Sequence, residues 1–542
     1  MSTRAACAFA VAIIVFICVS LQTPARANGV DTNPPSGIVP TTLTLQQVLA
    51  AHDKAVGKPI DPNAAVIEDD NITSNGLTGT FHDVSFHGDY ASTTKLGPFV
   101  TADGSVGGVT WSEDENGQVV QVQGVHQRGS ADQRALKDAL DHPGNGVKLL
   151  GEVTSPVAAY VVEVNPPDGR KEWIFYDKTT SLIDRIETVF PSARTVETYT
   201  DFKLRNGRTE AWSGHYSDGD SVNDQDWHIT SLQIQPQVDT SQLAAPTSKT
   251  FVEFPQGVTS DKLPARIVNG RIIVTLTIGG KGYDFLLDSG SSDINVDFAA
   301  AQQMGLKLYG KAVGDAAGKF SSSESVITEA DVGDLKMHDV AVTVLPFTEQ
   351  PAEGTELVGL LGYDFIAACE LRIDYDGHSV TALTPRQYVP EPNVYVVPAA
   401  LDDRIPVVAA QIGQAFGDHF VIDTGADLGY IFPGFVAAHP QDVADRGGGS
   451  SISAYEPFMY SQGVGGETRL KPTQVGVFQL GGVRFEDWMV YTMPDNQVQQ
   501  AEDFDGLIGY DFLRYFTVVF DYADQLIYLE PNDTFRRSET KN

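Results

Sequence analysis

Phe285-Leu286-Leu287-Asp288-Ser289-Gly290 returns, altered, as Phe420-Val421-Ile422-Asp423-Thr424-Gly425. Downstream of the first copy stands Gly359-Leu360-Leu361-Gly362-Tyr363-Asp364-Phe365, and downstream of the second Gly506-Leu507-Ile508-Gly509-Tyr510-Asp511-Phe512. In each copy an apolar strand delivers one carboxylate onto a glycine turn, where the missing β-carbon permits a tight bend and close backbone approach. A single Asp-Ser/Thr-Gly triplet is a weak signal in a chain of 542 residues. Two copies with the same apolar lead and the same later segment mark a duplicated module. Two matched carboxylates brought face to face can activate a water molecule.

Reading outward, the first repeat occupies 263–388 and the second 389–531. Each begins with an apolar strand, 272–278 or 405–412, turns through glycine, and enters its carboxylate strand. Each later shows a pair of strands, around 334–342 and 480–490. The interval between motifs is longer in the second repeat, and the extra residues are expected in the loop carrying Gly447-Gly448-Gly449.

Asp288-Ser289-Gly290-Ser291-Ser292-Asp293-Ile294-Asn295-Val296 resembles the first catalytic loop of pepsin-like aspartic peptidases. The run from Gly506 to Asp521 is similar to the end of their C-terminal lobe. The short repeats and the doubled Gly-Tyr-Asp-Phe look more like retropepsins, whose two lobes are separate identical subunits. The resemblance covers 263–531. It implies a mainly β fold with two retropepsin-like β-barrel lobes fused in one chain, in a pepsin-like bilobal arrangement. It also implies an aspartic-type endopeptidase with Asp288 and Asp423 as the catalytic pair. By that resemblance Ser289 and Thr424 bond across to the opposite loop and, with Gly290 and Gly425, lock the pair. Gly362 and Gly509 would support the loops from beneath.

Two such carboxylates cannot both ionise, so they share a proton and titrate as a pair. One takes a proton from bound water while its protonated partner polarises the peptide carbonyl. No metal and no cofactor is required. Candidate substrate flaps are 314–323 and 461–467; the first carries Phe320 but no tyrosine of the kind pepsin-like flaps present. That departure motivates an alternative, a non-catalytic peptide-binding protein on a peptidase fold.

Residues 1–27 read as an export signal. Arg4 precedes an apolar run from Ala5 to Leu21, and Ala25-Arg26-Ala27 is a cleavage site of the A-x-A kind. The run is short for a membrane span, so no transmembrane segment is expected after its removal. Removal takes Cys7 and Cys18 and leaves Cys369, so the exported chain has no intramolecular disulfide. A periplasmic or secreted location follows. The formal charge of −34 argues against nucleic acid and anionic membranes as partners. A monomer acting on a peptide or protein substrate is expected.

Residues 28–240 form an α+β accessory domain in this reading. Thr44-Leu45-Gln46-Gln47 opens a helix with a capping-box pattern. From about residue 76 to 235 strands alternate with turn signals such as Asn165-Pro166-Pro167-Asp168-Gly169. Helix plus antiparallel sheet resembles the half-open barrels of bacterial outer-membrane lipoprotein carriers. That resemblance implies a lipid ligand for this domain and a second alternative, a lipid or lipoprotein carrier. Residues 241–262 read as a linker and 532–542 as a C-terminal tail.

Three weaker signals are read as structural. Asp218-Gly219-Asp220-Ser221-Val222-Asn223 approaches a calcium loop, but Val222 stands at a ligand position and Asn223 where the turn glycine belongs. His82 and His87 fall on opposite faces of a strand, against a shared metal. Cys369 lies in an apolar stretch and reads as a packed small hydrophobe.

Overall fold

A computed structural model describes residues 31–121, a few positions between 136 and 144, and 146–166, 169–190, 193–315, 319–347, 356–402, 404–444, 459–463, 466–493 and 504–539. The expected export signal and the Gly447-Gly448-Gly449 loop lie outside the described residues, as do parts of both candidate flaps. The protein is mainly β. It forms two compact units, with Asn28–Ser248 the body of one and Lys249–Tyr309 with Gly314–Asn542 the body of the other.

The first unit starts with the helix Leu45–Val56, held by the capping box its sequence carries. Gln47 N–H donates to Thr44 Oγ1 at 3.3 Å, and Thr44 N–H donates to Gln47 Oε1 at 2.9 Å. Thirteen strands follow in one sheet whose neighbours are nearly all consecutive hairpins. The exceptions include Ala65–Ser74, which pairs antiparallel with Gln225–Gln235 and ties the two ends of the run together. Val48 of the helix packs on Val162, Val164, Ile174, Tyr176 and Ile186, giving an apolar core. Elsewhere the sheet buries acid. Glu68 sits directly opposite Asp83, Asp83 opposite Ser92, and Ser92 opposite Asp103. Glu68, Asp83 and Ser92 are each buried.

The side chains expected to be solvated or inert are accounted for locally. Asp218 accepts from Asp220 N–H at 2.8 Å and from Asn223 Nδ2 at 2.8 Å, so its oxygens serve the turn itself. His82 Nδ1 lies 2.8 Å from Asp69 Oδ1. Cys369 is a buried free thiol, its pKa pushed up to about 12 by burial first and by Glu370 second.

The second unit repeats one order of elements. In the first repeat, Arg271–Ile278 and Lys281–Leu287 make a hairpin across Gly279-Gly280, both at positive φ. The loop after Leu287 leads into Asn295–Asp297 and the helix Phe298–Met304, capped by Asp297. The long hairpin Lys319–Val332 and Leu335–Leu345 follows, then Leu357–Leu361, which returns parallel to Lys281–Leu287. In the second repeat, Ile405–Ile412 and Ala415–Ile422 are the hairpin. Gly466–Leu480 and Val483–Thr492 are the long pair, and Gly506–Ile508 returns parallel to Ala415–Ile422. Each repeat places its carboxylate strand beside its later Gly-Leu-Leu/Ile segment, which is why both motifs recur together.

The repeats join edge to edge. Glu370–Asp374 pairs antiparallel with Phe516–Asp521, so the final hairpins of both halves share one sheet. Residues expected to be a free linker contribute to this unit. Val252–Glu253 pairs with Leu335–Leu345, Phe251 and Val252 are buried, and Ser260–Lys262 pairs with Ser379–Leu383. Within the expected tail, Asp533–Glu539 is helical, and Phe535 packs 5.3 Å from the Phe516 ring.

Candidate active site

Each repeat's parallel pair ends on its own loop. Asp288 N–H donates to the Leu361 carbonyl at 3.1 Å, and Asp423 N–H to the Ile508 carbonyl at 3.0 Å. The later segment therefore fixes the backbone of the aspartate itself. Beneath, Gly362 meets the first loop so closely that an added β-carbon would lie 2.5 Å from the Ser291 carbonyl oxygen. At Gly509 the same atom would lie 2.8 Å from the Ala426 carbonyl oxygen. Glycine is required at both places by contact, not by backbone angle.

The two loops hold each other reciprocally. Ser289 N–H donates to Thr424 Oγ1 at 3.0 Å, and Thr424 N–H donates to Ser289 Oγ at 3.0 Å. Each hydroxyl then donates its own proton to the opposite strand, Ser289 to the Ile422 carbonyl at 2.7 Å and Thr424 to the Leu287 carbonyl at 2.9 Å. Both hydroxyl residues are almost wholly buried. Gly290 and Gly425 face the opposite carboxyls. A β-carbon at Gly290 would lie 2.8 Å from Asp423 Cγ, and one at Gly425 2.6 Å from Asp288 Cγ. The structure thus brings Asp288, Ser289, Gly290, Asp423, Thr424 and Gly425 into one constellation, with Gly362 and Gly509 under it.

Similar as they are, the two carboxyls are not equivalent. Asp288 Oδ1 accepts from Gly290 N–H at 2.9 Å. Asp423 Oδ1 accepts from Gly425 N–H at 2.7 Å and also from Ala426 N–H at 3.1 Å. Burial, then the Asp423 charge, pushes Asp288 well above the ordinary carboxylate range. Burial raises Asp423 too, but the bonds from Asp288, Gly425 and Ala426 favour its charged form. The pair titrates together, with the proton favouring Asp288.

Sequence reasoning missed two kinds of supporting residue, bridging arginines and paired tyrosines. Arg271 Nε lies 2.9 Å from Asp427 Oδ1 and Nη2 3.1 Å from Oδ2, joining the first repeat to the loop of the second. Arg404 Nη1 lies 3.1 Å from Asp293 Oδ1, the reverse connection. The signal was present, because Arg271-Ile272-Ile273-Val274 and Arg404-Ile405-Pro406-Val407 open the two repeats alike. Arg271 also lowers the pKa of both Asp288 and Asp423 through its charge. Tyrosines pair across the repeats as well: Tyr363 stacks on Tyr522 at 5.7 Å, and Tyr510 lies 5.5 Å from Tyr375.

Of the first candidate flap, 316–318 lie outside the described residues. Phe320 is partly buried, its ring 2.7 Å from where a β-carbon on Gly314 would stand. The strand Met459–Gly463 enters the second. Among the described residues one trio, Asp418, His419 and Asp505, brings ligand atoms within 4.8 Å of one another. Asp505 Oδ2 accepts the His419 amide at 3.1 Å, and Asp418 Oδ1 lies 2.6 Å from His419 Nδ1, so the trio already satisfies itself.

Residues 274–365 match the family described as Aspartyl protease, a stretch covering Asp288 and the first Gly-Tyr-Asp-Phe segment. No curated protein matches the chain. Among solved structures, an aspartic proteinase from Irpex lacteus is 14% identical over 51% of this chain and 98% of that one, with a TM-score of 0.32. A DUF1329 family protein from Desulfovibrio piger is 14% identical over 37% of this chain and 95% of that one, with a TM-score of 0.28. A LolA superfamily protein from Nitrosomonas europaea is 12% identical over 38% of this chain and 98% of that one, with a TM-score of 0.27. The family match gives the chain an aspartyl protease-like region.

Proposed function

We propose that this chain is an exported aspartic endopeptidase that hydrolyses peptide bonds with a water held between Asp288 and Asp423. The observation that carries the reading is the reciprocal Ser289–Thr424 bonding, which sets two glycine turns against each other's carboxyls. Asp423, with two backbone amides on one oxygen, is the ionised member and removes a proton from the water. The resulting oxygen attacks the carbonyl carbon while Asp288 gives its proton to the carbonyl oxygen. Collapse of the tetrahedral species breaks the C–N bond, and the proton held by Asp423 passes to the leaving amine. Asp288 recovers a proton from the carbonyl oxygen, so the pair ends as it began.

The raised pKa of Asp288 keeps it protonated to higher pH than an ordinary carboxyl. Activity should fall on the alkaline side as Asp288 loses its proton, and on the acid side as Asp423 gains one. The test is cleavage of a mixed peptide library across pH 3–8, with Asp288→Asn and Asp423→Asn alongside and a hydroxyl-bearing transition-state peptide as inhibitor. Full activity in both variants would refute the proposal, and tight peptide binding without turnover would favour the non-catalytic alternative. For the first unit an accessory role is proposed. Its buried Glu68 and Asp83 weigh against a wholly aliphatic ligand.

A further inference from the structure

Both repeated segments run Gly-Tyr-Asp-Phe, and the aspartate takes no part in the proton transfers described above. In the first repeat, Ile294 N–H donates to Asp364 Oδ2 at 2.9 Å. In the second, Gly429 N–H donates to Asp511 Oδ1 at 2.9 Å, and Phe512 N–H donates to the same oxygen at 3.0 Å. Ile294 and Gly429 occupy the same place relative to their catalytic aspartates (294 − 288 and 429 − 423 are both 6). Halfway along each loop, Tyr363 N–H donates to the Ser291 carbonyl at 2.9 Å, and Tyr510 N–H to the Ala426 carbonyl at 2.8 Å. The same two grips therefore recur in both repeats, although the loop sequences Ser-Gly-Ser-Ser-Asp-Ile and Thr-Gly-Ala-Asp-Leu-Gly share little beyond the glycine.

A loop leaving a catalytic aspartate has no ladder partner until its next strand. In the second repeat that strand is only Tyr430–Ile431. Ile294 is fully enclosed, so its amide needs an internal acceptor. The motif carboxylate supplies it. We infer that Asp364 and Asp511 are positioning residues, each anchoring the far end of its catalytic loop and so fixing where Asp288 and Asp423 point. The inference rests on the peptidase reading for its consequence in turnover, but not for the anchoring itself.

The test uses the full chain with Asp511→Ala, Asp364→Ala and the two Asp→Asn variants. Alanine at either site should lower kcat about 100-fold, because small misplacement of a reacting group is costly, with KM little changed. Asparagine keeps an acceptor oxygen and should return kcat to within about tenfold of the unmodified chain. Hydrogen exchange supplies the readout that needs no activity. In Asp511→Ala the Gly429 amide should exchange about tenfold faster, from loss of one hydrogen bond, while amides of the Glu370–Asp374 and Phe516–Asp521 strands keep their protection. Unchanged Gly429 exchange would overturn the inference, as would a uniform rise across the second unit, which would mean a general loss of stability. Asparagine no better than alanine would also overturn it. If an alanine variant fails to fold, exchange in the unmodified chain decides: a Gly429 amide as fast as an exposed loop amide overturns the anchor, and a slow one supports it. A chain without peptidase activity defeats the function proposed above, while the exchange results still judge this one.

Discussion

Carboxyls meet in two regions of this protein, and they are treated in opposite ways. Asp288 and Asp423 stand on glycine turns, receive backbone amides, and feel the charge of Arg271. Glu68, Asp70 and Asp83 stand on a sheet face. Among the described residues, no backbone amide reaches the Glu68 carboxyl oxygens. Burial, then Asp70 and Asp83, pushes Glu68 up to about 10, and burial pushes Asp70 to about 7. The first region is arranged so that one carboxyl can keep its charge. The second is arranged so that carboxyls stay neutral. Proximity of acids alone therefore does not decide which of them keeps its charge; directed donors do.

The sharpest way to break this contrast is to remove the charge from the loops. Asp423→Asn and Asp288→Asn should each lower kcat/KM about 1,000-fold in a peptide-cleavage assay, since each deletes an acid–base function. Next in size is the close approach of the turns. Gly425→Ala places a β-carbon against Asp288, so the loops must separate, and kcat should fall about 100-fold while the first unit unfolds as before. Thr424→Ala leaves the Ser289 amide and the Leu287 carbonyl without their buried partner. It should destabilise the second unit by about 2–3 kcal/mol in denaturant unfolding, and Thr424→Ser should restore most of that.

The smallest effect belongs to the sheet acids and is read as a change of slope. The folded pKa of Glu68 stands above its ordinary 4.5, so its contribution to stability is full below about pH 4.5 and is lost as pH rises towards 10. Asp70 adds loss in the same direction as pH rises through about 7. The first unit should melt at lower temperature at pH 8 than at pH 5, and Glu68→Gln should flatten that dependence by a few degrees, about 2–4 °C per kcal/mol. A first unit equally stable at both pH values would erase the distinction between the regions.

Much of the second unit is legible in the sequence because its two halves carry matched motifs, so that one half checks the other. Asp288 and Asp423, their glycines and their hydroxyls all stand at matched positions, and the arginine bridges were open to the same comparison. The sheet acids are different. In Ala65-Val66-Ile67-Glu68-Asp69-Asp70-Asn71-Ile72-Thr73-Ser74, alternation gives two faces but not which of them is enclosed. Only packing over the sheet decides that the face of Glu68 is the enclosed one, with Val66, Glu68 and Asp70 buried while Asn71 is exposed. Val252–Glu253 is illegible for a related reason: two residues carry no periodicity, and their identity as a strand comes from Met337 and Lys336 opposite.

That short pairing has a consequence for proteolytic processing. A cut after Val258 would release the second unit without Phe251 and Val252 and uncover the side of Leu335–Leu345 on which they lie. A cut after Lys262 would also remove Ser260–Lys262 from beside Ser379–Leu383, leaving a bare edge on the sheet that joins the halves. A cut that leaves the second unit with both short pairings and with Phe251 falls ahead of that residue.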